Sequence, residues 1–294
     1  MAAPSSEAQA PVGPPRAQAP RRRQKLPGTL VVGISIVLAV IVLALLGPLL
    51  SPFPYDQTHV ADRFQPPNAT YLLGTDEFGR DVLSRTLYGT RLSLLLGFSA
   101  MLTSMVLGVP LGLVSGYYRG IVDEAIMRTL DVLISFPPIM LVLLLLSVTD
   151  PALWKTAGAI GLLYMPAIAR VTRSITLGLV AEEFIAAAKA RGEGTGYIML
   201  QEVLPNAWPP IIVEASLRVT FAILTGAVLS FLGFGVQPPS ADWGLMIAQA
   251  RSFLEQAPWI ALAPGLAMCV TVVGVNLLGD GLREYLDPRE HRHS

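Results

Sequence analysis

The chain has 294 residues, 52% of them hydrophobic and only 14% charged, with 21 basic side chains balancing 21 acidic ones. Soluble domains carry roughly a quarter charged residues, so the composition places this chain in a lipid bilayer and argues against a water-soluble enzyme. The net charge of zero says little by itself, no nucleic-acid partner is expected, and the single cysteine, Cys269, excludes an intrachain disulfide or a cysteine metal cluster.

The first 29 residues are rich in Ala, Pro and Arg and lack apolar surface to bury, so residues 1–29 read as a disordered tail. Leu30 to Leu50 is then charge-free for 21 residues, enough to cross a hydrocarbon core of about 30 Å at about 1.5 Å per residue. Arg21-Arg22-Arg23 before it raises a signal-peptide or twin-arginine reading. The run is too long for a signal h-region and no Ala-x-Ala-like site follows, which favours an uncleaved helix.

Residues 51–91 are polar and turn-rich, with Pro66-Pro67, Gly74-Thr75-Asp76 and Gly79-Arg80-Asp81, and His59 among them. From Asp81 onward a helix is expected, with Asp81 and Arg85 at i, i+4. Leu92 to Tyr118 and Val132 to Thr149 are charge-free for 27 and 18 residues and read as spans. Leu153 to Val180 gives a less clean span whose Arg170 and Arg173 sit near water and snorkel.

Next comes a polar, Ala- and Gly-rich insert, Glu183 to Pro205. Its first half favours a helix, in which small Ala186, Ala187 and Ala188 let another surface approach. Gly192, Gly194 and Gly196 break that helix. A second run with Tyr197, Leu200 and Leu204 on one face follows, and Pro205 is expected to stop it. Two short helices around a flexible corner make a docking knob for a soluble partner, or else an amphipathic loop lying on the membrane.

Pro209 to Gly235 forms another span, carrying Glu214 and Arg218 four residues apart in the order that favours an ion pair. That pair reads as a structural bridge or part of a gate. Residues 233–258 form a second outer loop in which Trp243, with Trp259 just beyond, fits an interfacial aromatic belt. Gln256 to Gly279 completes six spans. Helix disruptors such as Gly108, Pro110, Gly112, Pro166 and Pro264 fit close helix packing or a bundle that rocks between two arrangements.

With the N-terminus inside, the inner segments hold 14 basic residues against six outside, which puts both termini and the Glu183–Pro205 insert in the cytoplasm. No phosphate-binding loop is present, since Gly192-Glu-Gly-Thr-Gly196 lacks the lysine and the preceding strand. His291 and His293 lie in the tail, acids do not cluster in midspan, and no nucleophile–base pair is on offer. The residues therefore predict an all-α polytopic membrane protein with no cofactor, no metal and no catalytic residue.

The insert resembles the cytoplasmic "EAA" loop of bacterial ABC-importer permeases. The loop's lead glutamate falls at Ala186, its alanines at Ala187 and Ala188, its glycine at Gly192 and its closing Leu-Pro at Leu204-Pro205. The lead acid is missing, with Glu182 and Glu183 just before it. Leu73 to Arg85, Phe231 to Pro239 with Asp242-Trp-Gly244, and Pro258 to Arg289 resemble further signatures of the peptide/nickel permease family, C-type second subunit.

The resemblance covers about residues 30–290 and implies a type I ABC-importer-like permease in the inner membrane. A second homologous permease subunit, two ABC ATPases and an extracytoplasmic solute-binding protein are the implied partners. Glu183, Ala186, Ala187, Ala188, Lys189, Arg191, Gly192, Leu204 and Pro205, within a coupling loop of about 182–208, would dock an ATPase. The signature Gly74, Thr75, Asp76, Gly79, Arg80, Asp81 and Arg85 would guard the outer mouth or meet the binding protein. Di- or oligopeptides are the expected cargo. Nickel or glutathione transport, a stand-alone channel or carrier, and a non-transporting scaffold remain as alternatives.

Overall fold

The structure, a computed structural model, describes residues 26–148, 150 and 152–286. Residues 1–25 of the expected tail and the pair His291 and His293 lie outside these. Among the described residues the fold is all-α, with one isolated bridge between Thr75 and Asp81.

Helix α1 (Gly28–Leu50) leads through the outer loop to α2 (Val82–Tyr118), which begins ten residues before its charge-free run because Asp81 caps it. At 37 residues, α2 is about 55 Å long. Two further helices, α3 (Gly120–Ser135) and α4 (Pro138–Ser147), are bent by 87° across Phe136-Pro137. The expected straight span at Val132–Thr149 is therefore broken. Phe136 precedes a proline and takes extended backbone, which ends α3. The rest of the bundle comprises α5 (Leu153–Leu179), α6 (Glu183–Ala190), α7 (Thr195–Tyr197), α8 (Leu204–Phe231), α9 (Trp243–Ala250) and α10 (Trp259–Leu286).

Among the described residues four helices are long and apolar enough to cross a membrane: α1, α2, the continuous 37-residue run Thr195–Phe231, and α10. The bent α3–α4 pair makes a fifth. The sixth expected span, α5, has the length at 27 residues, but Lys155, Arg170 and Arg173 keep it below the same apolarity.

Helix α2 sits at the centre, against α1, α5, α8 and α10. Its Gly108, Gly112 and Gly116 recur every fourth residue and face Ile168, Thr172 and Thr176 of α5 at the same interval. A Cβ on any of the three would lie within 3 Å of α5 backbone. Small residues here let two backbones meet, as membrane interfaces require where lipid is as apolar as leucine. Pro110, Pro166 and Pro264 lie inside continuous helices. Gly108 and Gly112 thus serve packing, and the three prolines leave their helices unbroken.

Candidate functional site

The insert folds as α6, a glycine corner, α7 and a π-helical stretch, Ile198–Val203, that runs into α8. Acidic Glu182 and Glu183 open α6 and Lys189 closes it, each sign matching the helix dipole. Gly192 ends it at φ +81° with a Schellman pattern: Glu193 N–H donates to Ala188 O at 3.2 Å and Gly192 N–H to Lys189 O at 3.0 Å.

Pro205 does not stop the second run. Having no N–H, it forces a wider turn, and Leu204 N–H reaches back five residues to Met199 O. Helix then continues to Phe231, with Leu204 and Pro205 at the first turn of α8. The buried face is also not the expected one. Tyr197 and Leu200 are exposed, whereas Ile198, Val203 and Ala207 are buried.

Those three residues join Ile185 and Ala188 of α6 in one core with Val109 and Leu113 of α2 and Ile168 of α5. The α6 knob is therefore bolted beneath α2, α5 and α8. Glu183, Ala186, Ala187, Lys189, Arg191 and Gly192 face outward, while Ala188 is spent on the core. Arg191 pairs with Glu202 at 3.3 Å and Glu193 at 3.7 Å, closing the corner, and Lys189 lies 5.6 Å from the Tyr117 ring centre.

At the other end of the bundle, the residues of the outer signature come together and turn inward. Asp76 is the hub: Oδ1 accepts from the backbone N–H of Phe78 and Arg80, both at 2.9 Å. Its Oδ2 meets Arg80 Nε at 2.6 Å and Arg85 Nε at 3.5 Å. Arg80 also reaches Glu77 at 3.3 Å. Burial, reinforced by Asp76, raises the Glu77 carboxyl above its ordinary range.

Asp81 does not pair with Arg85 as the i, i+4 spacing suggests. It caps α2 through Ser84 N at 2.8 Å, and Arg85 reaches across to Gln249 of α9 at 3.3 Å. Gly74 and Gly79 take φ +73° and +72°, conformations that suit glycine. Thr75 is wholly buried, and its carbonyl accepts from Trp259 Nε1 at 3.1 Å, which ties the loop to α10.

Two features were missed at sequence level. Trp243, expected in an interfacial belt, is 1% exposed and donates Nε1–H to Thr86 O at 3.0 Å. Beside it, Asp242 caps α9 through Leu245 N at 3.2 Å and accepts from Ser93 Oγ at 3.0 Å, and burial raises its pKa. The Asp-Trp-Gly at the head of α9 was the available signal, because Asp is a preferred N-cap. Second, α3 is tied to α5 by Asp123–Arg173 at 2.5 Å and Asp131–Arg170 at 2.6 Å. The two arginines are thus ion-paired, beyond the snorkelling expected of them.

Glu214 and Arg218 do form a pair on α8. Glu214 Oε1 accepts from Arg218 Nε at 2.7 Å, and the guanidinium lies 5.8 Å and 5.6 Å from the ring centres of Tyr164 and Phe221. Among the described residues no cluster suited to a metal ion occurs.

Known proteins share the sequence and the helical fold of this chain. Residues 108–292 match the family described as binding-protein-dependent transport system inner membrane component. The chain belongs to that family. Residues 29–67 match the N-terminal TM domain of oligopeptide transport permease C.

Curated relatives include a dipeptide transport system permease protein of Alkalihalophilus pseudofirmus, 42% identical over 88% of this chain and 85% of the relative. Another from Haemophilus influenzae is 38% identical over 88% and 90%. A glutathione transport system permease protein of Pectobacterium atrosepticum is 40% identical over 86% and 84%. Among solved structures, a MetNI methionine ABC transporter chain aligns at TM-score 0.56 and 16% identity, covering 69% of this chain and 97% of that one. That likeness shows the fold. The chain is an ABC-importer permease of the C-type, built to span a membrane.

Proposed function

We propose that this chain is the C-type permease subunit of an importer that moves di- or oligopeptides across the inner membrane, driven by separate ATPases. The observation that carries the reading is 42% identity to a dipeptide permease over 88% of the chain. The chain supplies no catalytic residue, and ATP hydrolysis belongs to its partners.

In this reading the N- and C-termini and α6 are cytoplasmic. The outward residues of α6, namely Glu183, Ala186, Ala187, Lys189, Arg191 and Gly192, enter a cleft on one ATPase. Because α6 shares a core with α2, α5 and α8, a push on it moves three spans together, coupling the ATP site to the path. A second permease completes the path, and an external binding protein delivers cargo. The buried cluster around Asp76 shapes the outer loop, and its exposed rim at Val60, Leu72 and Phe78 meets that protein.

The test is co-expression with its cognate partners, pull-down in mild detergent, and peptide uptake in proteoliposomes. Wild type recovers a second permease and ATPases and takes up labelled tripeptide only with ATP. Gly192→Arg loses the ATPases, since it puts a bulky side chain at φ +81° on the docking corner. A lone chain that still moves solute would overturn the reading in favour of a channel or carrier. Glutathione, a tripeptide derivative, is a second reading on the strength of the 40% identical relative. Competition between glutathione and dialanine for uptake separates the two.

A further inference from the structure

A cavity of about 500 Å³ opens between α8 and α10, just past the docking loop. Its walls are apolar, from Pro209, Pro210, Val213 and Leu217, with one acid and one base set into them, Glu214 and Arg283. The size and the sparse convergent polar groups are those of a small-molecule site.

Both charged groups have capacity left over. Glu214 takes its bonds from Arg218 on Oε1 alone, and Oε2 accepts none among the described residues. Arg283, in the last turn of α10, forms no ion pair with any described residue. An acid and a base set into apolar walls at one opening match a short zwitterion.

We infer that this cavity is a release-side subsite for the free termini of a short peptide, the ammonium on Glu214 Oε2 and the carboxylate on the Arg283 guanidinium. This rests on the peptide-importer reading and adds where the cargo pauses before it leaves. A two- or three-residue peptide spans at most about 3.5 Å per residue and fits the volume. Charge-assisted hydrogen bonds at both ends select free termini over blocked ones. Arginine's fork suits a carboxylate better than a point charge does. The apolar walls, Leu217 and the prolines among them, supply contact that is indifferent to side-chain identity, which suits a path that must pass many sequences.

The experiment uses the assembled transporter in lipid nanodiscs without its binding protein. Equilibrium binding is measured for tritiated alanylalanine, its C-terminal amide and its N-acetyl form. We expect saturable binding of the free dipeptide, with each blocked form weaker by about tenfold. Arg283→Gln should weaken the free dipeptide to the level of the amide while leaving the amide itself unchanged. Glu214→Gln should do the same for the acetylated form, and Arg283→Lys should restore part of the preference.

Equal binding of free and blocked dipeptides by the wild type overturns the inference, and that comparison needs no variant. So does Arg283→Gln weakening all three forms alike, the sign of a structural defect. Retention of a zwitterionic phospholipid that Arg283→Gln releases and dialanine cannot displace also overturns it, and assigns the cavity to a headgroup. ATP-driven uptake of alanylalanine by the same complex runs alongside. Its absence sinks the importer reading, whereas uptake without any preference for free termini sinks only the subsite.

Discussion

Asp76 answers two guanidinium groups from one carboxylate, with side chains only 3% to 5% exposed for it and Arg80 and 1% for Arg85. Removing one partner of a buried ionic group costs about 3–5 kcal/mol, and without Asp76 the Arg80 guanidinium keeps only Glu77 while Arg85 loses its carboxylate. Asp76→Ala should therefore lower the melting temperature in detergent by roughly 10 °C, while an unchanged melt would show that water already reaches the cluster. Asp242 makes the opposite demand. Burial raises its pKa, so the folded state holds the proton more tightly than the unfolded chain does. Its contribution is complete at acid pH and is lost as pH rises from about 4, the ordinary range, through the raised value. Wild-type stability should fall across that window, and Asp242→Asn, which can still cap α9, should flatten the fall. The same slope in both proteins would contradict this, with Glu77 contributing equally to each. Sequence reading found these residues but not their partners. Asp76 and Arg85 are nine positions apart, and only the fold-back of the loop joins them.

Where helices meet, the seam between α2 and α5 sets the tolerance. Gly112→Val places methyl groups where backbone of α5 already lies within 3 Å, and overpacking of this kind costs about 1–3 kcal/mol or more. Gly158, on the same α5, has nothing within 4 Å of its Cβ position. Gly158→Ala should hold or gain up to about 1 kcal/mol through helix propensity. Thermal unfolding of the two variants should move in opposite directions; a shared loss would mean that backbone freedom, not space, governs α5. Periodicity made α1, α2 and α10 legible because long charge-free runs have one outcome in a bilayer. It failed at Pro205, where a missing N–H was read as an end although a wider turn can absorb it. It also failed at α9, whose eight residues are too few for a periodic signal.

For the whole molecule, the basic-residue asymmetry predicts one orientation that can be checked directly. In a Cys269→Ala background, Thr70→Cys should react with an impermeant maleimide in intact cells, and Gln201→Cys only after permeabilisation. The reverse pattern would invert the topology and with it the assignment of α6 to the cytoplasm. Family and architecture were legible in the order of four motifs, yet the cavity by Arg283 was not, because it needs α8 and α10 side by side. The burial of the Asp76 cluster has a further consequence. Dissolved ions screen exposed charges over about 8–10 Å near physiological ionic strength and hardly reach buried ones. Arg191–Glu202 and Arg128–Glu124, with arginines 54% and 75% exposed, are open to that screening, whereas the outer cluster is sealed from it. In the proposed orientation, this face meets an environment of uncontrolled salinity and should keep its shape in brine or fresh water alike. The two exposed pairs lie on the side that the proposed orientation gives to the cytoplasm, where the cell sets its own ionic strength.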